Sequence, residues 1–425
     1  MKLKKRFTLF VSVLLAFSLL LAGCSESSGG SGESSDGKET TLRVLVWGNG
    51  PEELKGEEEI YAKFEEENPN INVELIHAPY DQVMDKFVTM SAGGDQPDLV
   101  WLQGSYLPGF AEQGLLMKLD DLIEKAGINK EDWLPGGIEM GTWDDTIYAL
   151  PRDIISHHVV YNKDMFDKAG VPYPQDGWTW EDYVETAKKL TIEENGKIVQ
   201  FGSASYSWEE ALVENGASKF AQDGSEVLID SPEAIEAIQW AADLSNVHHV
   251  SPTATESQGL GDLFLAGKAA MAFTGPWNWR PYTTEGKFNW DIVEVPAGKA
   301  GNKSQLLGLP IAIGTNTEHP EEAWTLLEYL THGGGQEVQS EIVGAYPSIK
   351  SATGKFSEGE YAPENVDTVH QAMEENTVVT SNFPTYSEAM NTLQPVIDQI
   401  MNGEAKAEDE LPKVADKIRS QLNIK

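Results

Sequence analysis

Short apolar runs alternate with apolar positions at helical spacing through the first part of this chain. Residues 41–47 (TLRVLVW) predict a strand, closed by Trp47, Gly48, Asn49 and Gly50. Ile60, Tyr61 and Phe64 follow at helical spacing and stop near Asn68-Pro69. INVELI (71–76) alternates as a strand does, and Val83, Met84, Phe87 and Val88 return to i, i+4 intervals. PDLVWLQGSY (97–106) reads as a third strand that carries Gln103, Ser105 and Tyr106 at its end. Strand–helix–strand spacing of this kind predicts parallel βαβ units and hence an α/β fold.

The pattern continues past an Asp120 N-cap and a Gly127 stop. Two apolar strands within 146–166 flank Arg152 and Asp153, and a helix that begins at Tyr161-Asn162 is closed by Gly170. Thr179 caps a helix through Tyr183 and Leu190, while Ser207 and Glu210 stand at capping-box spacing. Ser231-Pro232 opens another helix. GKAAMAFTGPWNWR (267–280) then holds a short buried strand, stopped by Gly275-Pro276 and followed at once by Trp277, Asn278, Trp279 and Arg280. Residues 293–296 and 309–314 predict two more strands, and His319-Pro320 starts a helix. Beyond Tyr346-Pro347 the chain reads as helix to its end.

Ligands of open α/β sheets sit beyond the carboxyl ends of the strands. That rule selects Trp47, Asn49, Gln103, Ser105 and Tyr106 from the first block. From the remainder it selects Arg152, Asp153, Trp277, Asn278 and Arg280. Trp208, at a helix start, and Tyr346, in a later loop, are expected at the same site by their place in the chain rather than by that rule. Indole faces suit the C–H faces of sugar rings, and the amide, carboxylate and guanidinium groups hydrogen-bond hydroxyls. Trp47, Trp208 and Trp277 are therefore expected to stack on sugar. Asp153 and Arg280 are expected to bind hydroxyls and to support each other as an ion pair. Trp101, inside a strand, reads as core.

Charge narrows the choice of partner. Only 31 lysines and arginines stand against 68 aspartates and glutamates, a net −37 spread along the chain, which disfavours nucleic acid. No G-x-S-x-G elbow or H-E-x-x-H helix occurs, and residues 261–269 miss a P-loop by one position and a Ser or Thr. The pairs His157-His158 and His248-His249 lack metal-ligand spacing with the one cysteine. No enzymatic activity, cofactor or metal is expected. A secreted glycosidase is the enzymatic alternative, resting on acid pairs such as Asp144-Asp145 and Glu209-Glu210.

Basic residues at 2–6 and an apolar run at 7–22, too short to span a bilayer, predict a secretory signal over residues 1–23. Leu21-Ala22-Gly23-Cys24 resembles a bacterial lipobox, which implies that Cys24 is acylated, with palmitate among the expected chains. Residues 24–40 then form a lipidated Ser/Gly-rich tether; a flexible chain of that length reaches on the order of 20–24 Å. Membrane contact is expected through the lipid anchor alone, at the extracellular face.

Four stretches carry a wider resemblance. YNKDMFDKAGV (161–171), WTWEDYVETAKKLT (178–191), GKAAMAFTGPW (267–277) and HPEEAWTLLEYL (319–330) occur in the order found in carbohydrate-binding extracellular solute-binding proteins of bacterial ABC importers. The chain resembles that family, which includes maltose-binding protein, over nearly all of its mature length. His157-His158 departs from it, since small residues are usual there. The resemblance implies a two-lobe periplasmic-binding-protein-like fold with hinge crossovers and a mostly helical C-terminal region. Lobe one maps to 41–150 plus 311–344 and lobe two to 151–310 plus 345–425, with crossings near 149–152, 308–313 and 343–346. It also implies a monomer that takes a sugar or oligosaccharide to ABC permease subunits. A phosphodiester or peptide ligand remains the alternative, kept open by Arg152 and Arg280.

Overall fold

The computed structural model describes residues 39–48, 51–257 and 259–424, without the side chains of 51–53, 254 and 255. The signal segment, Cys24, the tether up to residue 38 and Asn49 lie outside the described residues.

The strands that frame the fold are β1 (Thr40–Trp47), β2 (Ile71–Ala78), β3 (Leu99–Trp101), β4 (Ala149–Ile155) and β5 (His158–Asn162). They are followed by β6 (Ile192–Glu194), β7 (Lys197–Ser203), β8 (Ala269–Thr274), β9 (Trp290–Val293) and β10 (Leu307–Ile313). Two five-stranded sheets result, one in the order β2-β1-β3-β10-β4 and the other β9-β5-β8-β7-β6. β1 runs parallel to β2 and β3, as the βαβ spacing predicts, while β10 enters antiparallel between β3 and β4. In the second sheet β8 pairs parallel with β7 and antiparallel with β5. Position in the sheet explains composition. Central β5 is buried at every residue, whereas edge strand β2 alternates half-buried and exposed positions over its first five residues.

The helices used below are α1 (Pro51–Glu67), α2 (Trp180–Leu190), α3 (Trp208–Glu214), α4 (Pro232–Asn246), α5 (Trp279–Thr284), α6 (Pro320–Thr331), α7 (Gly335–Val343), α8 (Tyr386–Met401) and α9 (Ala407–Leu422). α1 and α6 cover the first sheet through Ile60, Phe64, Leu326 and Leu330, and α7 packs against the same core through Val338 and Ile342. α2 covers the second through Tyr183, Ala187 and Leu190. α3, α4, α8 and α9 build a helical core of their own, which includes Ala237, Leu393 and Val414. The molecule is thus an α/β protein of two lobes, each sheet carrying its own helices.

Local signals act largely as expected. Thr179 and Asp182 close a reciprocal capping box on α2, and Asn162 Oδ1 accepts from Met165 N–H at 3.1 Å. Several details differ. Asp120 is the first helical residue rather than the N-cap; its carboxylate instead accepts from Ile147 N–H at 3.0 Å. Only half of the Ser207 box forms, because the Glu210 side chain is drawn into the interior. The third strand ends at Trp101, and Gly104–Tyr106 is a turn of 3-10 helix. The C-terminal region is helical except for Thr377–Val378, which pairs with Ser304–Gln305.

Arg152 and Asp153 lie within β4, not between two strands. β4 and β10 belong to the first sheet over their full lengths, so the chain passes to the second sheet through Ser156 and His157 alone. The expected boundaries at 150/151 and 310/311 therefore fall inside strands. A later return lies at Gly344, whose φ of 68° closes α7 and turns the chain toward Tyr346. Among the described residues no helix is long and apolar enough to cross a membrane.

Candidate functional site

A cleft of about 430 Å³ opens between the two sheets. Its first-lobe wall comes from Trp47 at the end of β1, Tyr80 just past the end of β2, Trp101 at the end of β3 and Glu57 of α1. Arg152, Asp153, Ile155 and His157 form the base, and Trp277 and Arg280 the second-lobe wall. The indole of Trp47 stands edge-on to Tyr80 (5.3 Å, 88°) and to Trp101 (5.3 Å, 83°), which fixes three rings in one apolar corner.

Beneath that corner lies a buried charge network. The Arg152 guanidinium sits 4.7 Å from the Trp101 ring centre and donates to Glu57 Oε1 at 2.8 Å and to Gln339. Gln339 donates in turn to the carbonyls of Leu330 and Gly335, each at 2.8 Å, and Trp101 Nε1 donates to Tyr61 Oη at 3.1 Å. Burial alone would lower the Arg152 pKa, but Glu57 and Asp153 beside it raise it on balance. Burial pushes the Asp153 carboxyl up, against the opposing pull of Arg152 and the Leu309 N–H, which donates to Oδ1 at 3.0 Å.

Trp277 owes its position to the sequence before it. Its ring folds back onto Gly275, where a β-carbon would collide with the indole, so the Gly-Pro-Trp order is a steric requirement. Asn278 staples the same turn by donating to Thr274 Oγ1 at 2.8 Å. Arg280, on α5, reaches across to the first lobe, 3.4 Å from Glu59 Oε1 and 3.3 Å from the carbonyl of Ile342.

Of the residues expected at the site, Trp47, Arg152, Asp153, Trp277 and Arg280 line this cleft. Asp153 and Arg280 do not pair; Asp153 faces Arg152 at 3.9 Å and Arg280 faces Glu59, because each has a nearer partner. Gln103, Tyr106 and Trp208 fall to one side. Gln103 donates to the Tyr80 carbonyl at 2.6 Å, Tyr106 packs on Phe110, and Trp208 lies under the Lys219 ammonium at 5.6 Å. Ser105 lies half-buried in the turn between Gln103 and Tyr106. Asn278 serves the turn rather than the cleft. Tyr346 is core: it is 3% exposed, and its hydroxyl meets His370 Nδ1 at 2.9 Å. Tyr80, more than half exposed, looks from the first lobe toward Glu209 and Tyr386 of the second.

A family model described as bacterial extracellular solute-binding protein matches residues 48–337. The chain belongs to that family. Among curated relatives, this solute-binding protein is 23% identical over 437 residues to the galactooligosaccharide-binding protein of Bacillus subtilis, covering 100% of this chain and 99% of the relative. It is also 23% identical over 441 residues to the maltodextrin-binding protein MdxE of the same organism, again covering 100% and 99%. Among solved structures, the substrate-binding protein Lmo0181 from Listeria monocytogenes in complex with cycloalternan superposes with a TM-score of 0.83. Identity there is 24%, over 91% of this chain and 100% of that one. Maltose-bound MalE3 of T. maritima gives 0.78 at 23% identity, over 90% and 100%.

Four polar or aromatic lining residues of the solute-binding protein were not among those expected: Glu57, Tyr80, Trp101 and His157. Tyr80 obeys the same strand-end rule that selected Trp47 and was open to the same argument. Trp101 is buried as expected for core, yet one face still closes the cleft beneath Arg152. His157 was marked only by its departure from the family pattern. Glu57 gave no signal, since the acidic run of α1 reads as a solvated face.

Proposed function

We propose that this protein captures a neutral carbohydrate, a sugar or short oligosaccharide, in the interlobe cleft and passes it unaltered to the permease of an ABC importer. The observation that carries this reading is the cleft's composition. Trp47, Tyr80, Trp101 and Trp277 offer aromatic surface around a base of Glu57, Arg152, Asp153 and Arg280. Both guanidinium groups already face carboxylates, Arg152 at Glu57 and Arg280 at Glu59. That balance suits hydroxyls better than a phosphodiester, which would need surplus positive charge. The sugars named in the relatives' descriptions support the same class.

Ligand touching both lobes would stabilise the closed state by the contacts it makes only there. In this reading Cys24 carries the lipid anchor, the residues from there to 39 form the tether, Thr40 already belonging to β1, and the body works as a monomer at the extracellular membrane face. The lobes are taken as 41–150 plus 311–344 and 151–310 plus 345–425, adjusted so that β4 and β10 stay whole in the first lobe, with the passages beside those strands as hinge. The test is a tryptophan-fluorescence and calorimetric screen of malto-, manno- and galacto-oligosaccharides against glycerophosphodiesters and peptides. Saturable sugar binding without turnover is expected. Binding of a phosphodiester alone, or hydrolysis of the sugar, overturns the reading.

A further inference from the structure

His157 occupies the two-residue passage where the chain leaves β4 for β5. Its backbone N–H donates to Ser304 Oγ at 3.0 Å. Its imidazole packs against Phe273, with centroids 4.3 Å apart, and stands edge-to-face with Trp277 at 5.7 Å and 84°. Nδ1 is turned into the protein, 3.4 Å from Glu210 Oε2, while the 11% of the side chain left exposed belongs to the cleft wall. Glu210 is wholly buried. Its Oε2 also accepts from the Gln305 N–H at 3.3 Å, and its Oε1 has no hydrogen-bond partner. A carboxyl group held away from water in this way is costly unless a polar neighbour meets it, and the His157 ring is that neighbour.

We propose that His157 is a pH-responsive positioning residue of the cleft: set by buried Glu210, its imidazole holds the Trp277 indole in place for ligand, and protonation tightens that hold. The proposal rests on the reading of the cleft as the ligand site. The groups that face His157 come from every element around it. α3 presents Glu210 and, one turn on, Glu214, whose pKa is raised well above the ordinary value by burial and by Glu210. Glu214 is held by Tyr206 and by Trp180 Nε1, the latter at 2.6 Å. β5 presents His158, kept neutral chiefly by burial. β4 presents Arg152 and Asp153, and α5 presents Arg280; these share the cleft wall and are engaged with Glu57, Leu309 N–H and Glu59. Among the described residues, Glu210 is the carboxylate placed directly against the ring.

Histidine changes charge between about pH 5 and 8, and imidazolium quenches neighbouring indole emission. The ligand-free experiment compares intrinsic fluorescence over that range in the wild type, Trp277→Phe, His157→Gln, His157→Phe and Glu210→Gln. The emission that Trp277→Phe removes is expected to change with pH over that range in the wild type, to be flat in His157→Gln and to follow a different course in Glu210→Gln. With maltotriose, mannotriose and galactobiose as probes, the sugar that binds should bind more weakly as pH rises. That trend should be absent in His157→Gln, and His157→Phe should lose roughly tenfold in affinity, the scale of one charge-assisted contact. His157→Gln keeps a hydrogen-bonding chain beside Glu210 and guards against a misfolded Phe variant. Trp277 emission that is flat in the wild type, or unchanged in His157→Gln, overturns the proposal. Should none of the three sugars bind, the carbohydrate reading falls while the emission titration still decides the role of His157.

Discussion

The two sides of the cleft handle buried charge in opposite ways. On the first-lobe side Arg152 is answered by Glu57, Gln339 and the face of Trp101, and Gln339 is satisfied in turn by two main-chain carbonyls. On the second-lobe side Glu210 and His157 stand 3.4 Å apart, with Glu210 Oε1 and His157 Nδ1 each lacking a hydrogen bond. A saturated network has one good arrangement and acts as scaffold. An unsaturated one leaves buried polar atoms uncompensated beside a residue of the cleft.

The contrast can be broken hardest at Arg152. Arg152→Met removes the guanidinium that lies beside both Glu57 and Asp153, and is expected to cost about 3–5 kcal/mol of folding stability. Urea unfolding measures it, and a loss under about 1 kcal/mol would mean the first wall is no scaffold. Next is Trp277→Ala, expected to remove about 2–4 kcal/mol of sugar binding by calorimetry while leaving the unfolding midpoint nearly unchanged, since the ring is only half-buried.

His158 gives the third test. It accepts from Trp279 Nε1 on Nε2 at 3.1 Å, so Nδ1 carries the proton, and burial drives its pKa down to about 3. Between about pH 6.5 and that value the unfolded chain takes up a proton that the native one refuses, so stability falls as pH falls through that window. The loss by pH 4 should be on the order of 2–3 kcal/mol, and His158→Gln should flatten this part of the acid limb in thermal melts. The smallest effect samples the seam between the sides. Asn382 donates to the Gly104 carbonyl at 2.8 Å, and Asn382→Ala should cost about 1 kcal/mol in the same melts.

Much of the fold was legible because its signals are local. Apolar runs marked the strands, and Thr179, Asn162 and Gly170 marked helix ends by chemistry that needs no tertiary partner. The cleft was legible where one rule, side chains at strand ends, coincided with a fixed turn, as at Trp47 and Trp277. It failed where only packing decides. Tyr346 looked like a crossing residue and is core, because a tyrosine beside a proline reads alike in both settings. Glu57 and Glu59 belong to one acidic stretch of α1, yet they face Arg152 and Arg280. Nothing in a run of glutamates tells which of them meets a cation.

The insertion of β10 between β3 and β4 carries a consequence for how the molecule is made. During synthesis or refolding the first sheet stands with a gap between β3 and β4 until every strand of the second has appeared, because its missing member comes last. Neither β3 nor β4 has that neighbour before then, so the earliest compact species exposes bare sheet edges. Such long-range closure favours slow assembly and an interval of vulnerability to sticking. Dilution, or a holding factor, should raise the yield of native protein more than it would for a chain whose lobes are built one after the other.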